Sequence, residues 1–207
     1  NFEIVGRWEK NIDGMNFNYD FWYQPRHNVM VSSEWAAPNT FMPGFDLADV
    51  GAGKYGHSIH FWDFKRKSIK KSVDLGSEGM IPLEVRFHHD PDSTHGYVAA
   101  TLSSNVFHWS KNGRGWQVEK VIDVPPIDVI GWPIQVPSLI TDILVSMDDR
   151  FLYFSNWLHG DVRQYDISEP GKPKFTGQVW LGGLLGRAPE VNGKKVYDIP
   201  FPFPTLL

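Results

Sequence analysis

Short apolar or alternating runs, each closed by turn residues, recur along the whole chain. The clearest set begins at residues 140–146, an apolar run with β-branched members. A polar turn MDDR follows, and FLYFSNW fills 151–157. Beyond His159-Gly160, residues 161–167 alternate, with Val162, Gln164 and Asp166 on one face and Arg163, Tyr165 and Ile167 on the other. The turn cluster EPGKP leads into 175–181, which Gly182-Gly183 closes. Period-two alternation bounded by Gly, Pro, Asn and Asp predicts strands, and four strands on short turns predict an antiparallel meander.

The same grammar occurs twice upstream. Strands are predicted at 20–24, 29–35, 58–64 and 68–75, and again at 83–88, 97–102, 105–110 and 116–124. The third strands begin at Ser58, Asn105 and Asp161, spaced by 47 and 56 residues. A β-sandwich uses strands equally short. Here whole four-strand units repeat, which favours an all-β propeller segment of about three four-stranded antiparallel blades, at 19–76, 82–124 and 139–182. FEIVGRWEK at 2–10 alternates like an orphan strand from a preceding blade. Residues 45–52, inside a long insertion, are the one stretch expected to turn helical. The tail 184–207 is expected to be poorly ordered. Three blades leave two apolar end faces, so the expected partners are the remaining blades of a longer propeller or a second copy of the chain.

Composition narrows the function classes. Hydrophobic residues are 42% and charged residues 21% of the 207, enough for a core and unlike a disordered chain. Nine tryptophans and an aromatic content of 14% fit strands. A formal net charge of -4 offers no basic face, so no nucleic-acid partner is expected. No apolar run reaches membrane-spanning length, so no integral span is expected. With zero cysteines the chain has no disulfide, thiolate ligand or cysteine nucleophile of its own. Phosphate-binding and nucleophile-elbow glycine motifs are also missing. The basic cluster Lys65-Arg66-Lys67 with Lys70-Lys71 reads as solvated hairpin charge.

Three long strings carry a family resemblance: NYDFWYQPRHNVMVSSEWAAP at 18–38, PLEVRFHHDP at 82–91, and LITDILVSMDDRFLYFSNWLHGDVRQYDISEPGKPKFTGQVWLGG at 139–183. They resemble the selenium-binding, methanethiol oxidase family. The resemblance implies a propeller that turns methanethiol, oxygen and water into formaldehyde, hydrogen sulfide and hydrogen peroxide. It implies copper in bacterial relatives, and selenium binding in animal and plant ones. It places this chain in the middle of a longer protein. The family's selenium-associated cysteine and its histidine-rich motifs then fall outside the chain, and the residues after Leu184 depart from the family pattern. A small thiol is the implied substrate. The expected setting is the cytoplasm, with the nucleus as a second compartment.

The remaining soft ligands are eight histidines. Imidazole suits copper, and His89 and His159 are the metal-ligand candidates. His89 matches the single histidine of the family motif, while His88 departs from it. His89 also suits a cap on the Asp90-Pro91 turn. His159 lies in a loop between second and third strands, where propellers commonly hold ligands, although Gly160-Asp161 is ordinary turn chemistry too. Glu84 and Asp142, each near the start of a first strand, are candidates for a channel lining or a proton acceptor. Trp22, Trp35, Trp62, Trp109 and Trp157 are expected to pack between blades. Two functions stay open: an oxidase segment, or a non-catalytic module that binds selenium species or protein partners.

Overall fold

The computed structural model describes residues 2–12, 14–130, 134–183, 190–191 and 194–195. Three four-stranded antiparallel meanders hold the strands. The first comprises β1 (Asn18–Gln24), β2 (Val29–Glu34), β3 (Ser58–Asp63) and β4 (Ser68–Asp74). The second comprises β5 (Pro82–Phe87), β6 (Gly96–Ala100), β7 (Asn105–Asn112) and β8 (Gly115–Asp123). The third comprises β9 (Ile140–Val145), β10 (Phe151–Asn156), β11 (Asp161–Asp166) and β12 (Lys174–Trp180). These are the three predicted blades, with ends within one or two residues of the sequence pattern for most strands. A two-residue hairpin, β13 (Glu190–Val191) with β14 (Lys194–Lys195), follows.

The insertion between β2 and β3 forms α1 (Pro38–Phe41) and α2 (Leu47–Gly51), the second inside the stretch expected to be helical. Asp46 caps α2 by accepting the N–H of Ala48 at 2.8 Å, which satisfies one otherwise unpaired donor of the first turn.

Alternation along each strand sends side chains to two faces, and the middle sheet buries both. One face presents Val85, Phe87, Val98, Ala100, Phe107, Trp109 and Trp116 to Val29, Val31, Ile59 and Phe61 of the first sheet. The other presents Tyr97, Ala99, Val106 and Ile122 to Ile140, Ile143, Leu152, Phe154 and Tyr165 of the third. Hence β6 reads as a continuous small and apolar run, GYVAA, with every residue buried. Aromatic rings dominate the first seam. Phe61 stacks on Trp116 at 4.9 Å, and Phe87 meets Trp109 edge-on at 5.2 Å.

Two expectations need correction. Residues 2–10 do not form a strand. Their ties to the first sheet include Lys10 N–H to the Lys67 carbonyl at 2.8 Å and one parallel bridge from Asn11 to Ser68. Phe2, Ile4 and Val5 are exposed, because alternation without a neighbouring ladder has nothing to bury against. Trp8 is anchored, edge-on to Trp62 at 5.8 Å. The tryptophans also divide. Trp109 fills a seam and Trp22 of the first blade covers Arg86 of the second, whereas Trp35 stacks on Phe41 of α1 at 4.2 Å and Trp157 is exposed. Apart from β13 and β14, the tail expected to be poorly ordered lies outside the described residues.

Gly96 pairs with Trp109 across β6 and β7, and a Cβ there would overlap the indole and stand 2.6 Å from the Arg86 carbonyl oxygen. Backbone on one side and a fully packed ring on the other leave no room to give. Gly96→Ala is therefore expected to destabilise the chain by about 3 kcal/mol, read as a lower denaturant midpoint.

Candidate functional site

The first strand of each meander, β1, β5 and β9, lies next to its counterpart, giving an inner rim. Their inner edges have no further strand to bond, so side chains take over that role. Asp20 of β1 accepts the backbone N–H of Val85 at 3.0 Å and Arg86 Nη1 at 3.0 Å. Ser33 Oγ donates to the Leu83 carbonyl at 2.5 Å. Thr101 Oγ1 donates to the Ile140 carbonyl at 2.6 Å, repeating the device between the second and third blades.

These ties gather Asp20, Glu84, Asp142 and Tyr19 around one cation. Arg86 binds both Asp20 and Glu84, and its guanidinium lies 5.0 Å from the Trp22 ring centroid. Burial raises the Glu84 carboxyl above its ordinary value. Arg86 opposes that shift, and the charges of Asp20 and Asp142 add to it. Burial also raises the Tyr19 phenol, reinforced by the same three carboxylates. Three carboxylates against one guanidinium disfavour a further anion. They suit a neutral ligand, a cation or a transferable proton. Glu84 and Asp142, both singled out in the sequence, thus meet here. Asp20, Arg86 and Tyr19 went unnoticed, because only the approach of β1 to β5 puts them beside Glu84.

The histidines fall elsewhere. His89 donates from Nε2 to the Val145 carbonyl at 3.0 Å, and its backbone N–H bonds Asp149 Oδ1 at 2.6 Å. His159 is buried and donates from Nε2 to the Val136 carbonyl at 3.1 Å. Val145 ends β9, while Trp157 and Leu158 bond the residues just before its start, so the two histidines sit at opposite ends of that strand. Strand rise separates them by roughly 16 Å. Among the described residues no three His, Asp or Glu side chains converge in a way that could hold a metal ion.

Two other imidazole groupings escaped the sequence reading. His60, fully buried in the first blade, bridges Glu34 Oε1 at 3.0 Å and Ser72 Oγ at 2.8 Å. Burial pushes the Glu34 carboxyl up, but the bonds from His60 and the Asn16 N–H outweigh it and leave it below the ordinary value. In the second blade, His88, His95 and His108 lie beside Tyr97, with ring centroids 5.1–5.5 Å apart for the two adjacent histidine pairs. Cross-strand register, not sequence spacing, creates both groupings.

A propeller arc with an acidic inner rim is the class of protein that this geometry defines. The comparisons then make it particular. A family model described as 56kDa selenium binding protein (SBP56) matches residues 1–201, and the chain belongs to that family. It is 57% identical over 193 residues to methanethiol oxidase of Rattus norvegicus, covering 92% of this chain and 41% of the rat protein. It is equally 57% identical over 193 residues to selenium-binding protein 2 of Mus musculus, with the same coverage. A hypothetical selenium-binding protein from Sulfolobus tokodaii, solved by X-ray crystallography, superposes with a TM-score of 0.81 at 40% identity, over 87% of this chain and 42% of that one. A β-propeller domain of Cps50 (Swd1) from Myceliophteria_thermophila superposes with a TM-score of 0.51 at 9% identity, which shows the fold alone. The chain thus spans about two fifths of the length of these curated relatives.

Removing the cation at the rim tests the electrostatic account. In Arg86→Leu the Glu84 carboxyl is expected to titrate at still higher pH than in the parent chain. Losing the pairing of two partly buried carboxylates is expected to cost about 2 kcal/mol. Carboxyl NMR titration and denaturant unfolding read the two effects.

Proposed function

We propose that this chain supplies three blades of a methanethiol oxidase, in which Glu84 acts on the substrate thiol from the inner rim. The observation that carries the reading is the 54–57% identity to proteins named methanethiol oxidase across nearly the whole chain. The overall conversion takes one molecule each of methanethiol, oxygen and water to one each of formaldehyde, hydrogen sulfide and hydrogen peroxide. A carboxyl raised by burial and by neighbouring charge is a fitting proton acceptor for a neutral thiol. Arg86 fixes the positions of Glu84 and Asp20. Tyr19 and Trp22 give the rim aromatic surface suited to a small, weakly polar ligand.

Copper, implied by resemblance for bacterial relatives, does not fit the described residues. His89 and His159 stand at opposite ends of β9, too far apart to share one ion. In this reading the metal ligands and the selenium-associated cysteine belong to the portion of the relatives beyond this chain. The apolar end faces, with Phe21 and Tyr23 at one end and Leu144 and Val179 at the other, are proposed to be covered by the remaining blades. No helix among the described residues is long and apolar enough to cross a membrane. A cytoplasmic or nuclear setting remains part of the proposal.

A non-catalytic reading is favoured by one observation, the equal identity to selenium-binding protein 2. Exchange of segments separates the two. A full-length methanethiol oxidase whose matching segment is replaced by this chain is expected to keep turning over methanethiol, with peroxide and sulfide released together. The chain alone is expected to give no turnover. In the chimera, Glu84→Gln is expected to lower kcat/KM about 100-fold. A correctly folded but inactive chimera would overturn the oxidase reading. Full activity of the Glu84→Gln form would overturn the role of Glu84.

A further inference from the structure

The seam between the second and third blades carries a line of ionisable groups with no part in the inner-rim site. His108 on β7 pairs directly with Tyr97 on β6 and with Glu119 on β8. His95 immediately precedes β6. His108 Nδ1 lies 3.2 Å from Glu119 Oε1, and its Nε2 lies 2.8 Å from His95 Nδ1. The two imidazoles are stacked, with an interplanar angle of 13°. Tyr97 packs on His108 and donates its hydroxyl to the Pro170 carbonyl at 2.9 Å, in the turn between β11 and β12. A Cβ at the next residue of that turn, Gly171, would stand 2.9 Å from Glu119 Oε1 and 3.8 Å from His108 Nδ1. The third blade therefore covers His108, which is only 3% exposed, while the Glu119 side chain at the end of the line stays 63% exposed.

Proton counting limits what this arrangement tolerates. A hydrogen bond between two ring nitrogens needs one N–H and one lone pair. With Glu119 accepting from His108 Nδ1, a neutral His108 offers its Nε2 lone pair to His95 Nδ1–H. One added proton can be accommodated, because either ring then donates to the other. A second proton leaves two N–H groups facing each other across 2.8 Å. The ionisable groups nearby are Glu119 on β8, His88 after β5, Tyr97 on β6, Asp149 between β9 and β10, and Glu169 with Lys172 between β11 and β12. Of their side chains, Glu119 is the one bonded to the pair. The Asp149 carboxylate is taken up by the N–H groups of His89 and Asp90, and Glu169 is paired with Lys172 at 3.5 Å.

We propose that His95, His108 and Glu119 form an acid-sensitive clasp across β6, β7 and β8 of the second blade, beneath the third-blade turn at Pro170-Gly171, closed at neutral pH and opened by the second proton. Burial lowers the pKa of both histidines, and for His108 the bond to Glu119 only partly offsets it. The folded state thus binds protons less readily than the unfolded chain. The stability that the clasp contributes is complete above the ordinary histidine pKa of about 6.5 and is lost as pH falls below it. Because the groups sit in one seam, the loss is local.

Hydrogen–deuterium exchange of the 207-residue chain at pH 7.5 and pH 5.0, corrected for the intrinsic chemical rate, tests this. On acidification, protection across 93–100, 105–112 and 168–173 is expected to fall about tenfold or more, the size of a proton-uptake mismatch of one unit acting over one pH unit. Segments of the first seam, 29–34 and 58–63, are expected to change less than about twofold, well inside that measure. His108→Gln and, independently, His95→Gln are expected to flatten the dependence in the second seam. Protection retained at pH 5.0, or lost equally in both seams, would overturn the clasp. So would an unchanged dependence in whichever of the two variants folds.

Discussion

Burial of the middle sheet on both faces is the constraint on which the rest of this structure depends. A β-sheet that covers one face can leave polar residues on the other, but the second blade packs on a neighbouring blade at each face. Its β6 must be small or apolar throughout, and Gly96 must lack a side chain so that Trp109 can lie across it. The two seams differ in how they fill the space. The first is aromatic, built on Phe61, Phe87, Trp109 and Trp116. The second mixes branched aliphatics with Tyr97, Tyr165 and Phe154.

Stacking the blades face to face brings their first strands together at the rim. There the unpaired strand edges are bridged by side chains, and those side chains are the chemistry of the site. Asp20 has two roles at once. It caps the Val85 N–H and holds Arg86 beside Glu84. The raised Glu84 carboxyl is therefore a consequence of how adjoining blades meet, since burial and the Asp20 and Asp142 charges all come from the assembled rim.

The histidines follow the same logic of placement. His89 and His159 were the sequence candidates because of their motif and loop positions. Each turns out to bind a backbone carbonyl near one end of β9, helping to fix the third blade. The clustered imidazoles are instead the ones that β-ladder register sets side by side. His60 faces Ser72 across β3 and β4, and His108 faces Glu119 across β7 and β8. These pairs are 12 and 11 residues apart in the chain, a separation that carries no signal without the register.

The strands, their grouping into three four-stranded units, the helical turn at α2 and the family were legible in the amino-acid sequence alone. Each depends on local alternation, turn chemistry or long matching strings, and local information suffices for them. Glu84 and Asp142 were legible too, as polar residues at equivalent places in otherwise apolar first strands. Residues 2–10 show where the pattern misleads, since alternation states a preference for a ladder and cannot supply the partner strand. Tertiary structure alone decided that Asp20 and Arg86 join Glu84, that Trp109 and not Trp35 or Trp157 fills a seam, and that His95, His108 and Glu119 align. All of these are contacts between strands or between blades. They are set by register and by which faces meet, and neither quantity is written in the spacing of residues along one strand.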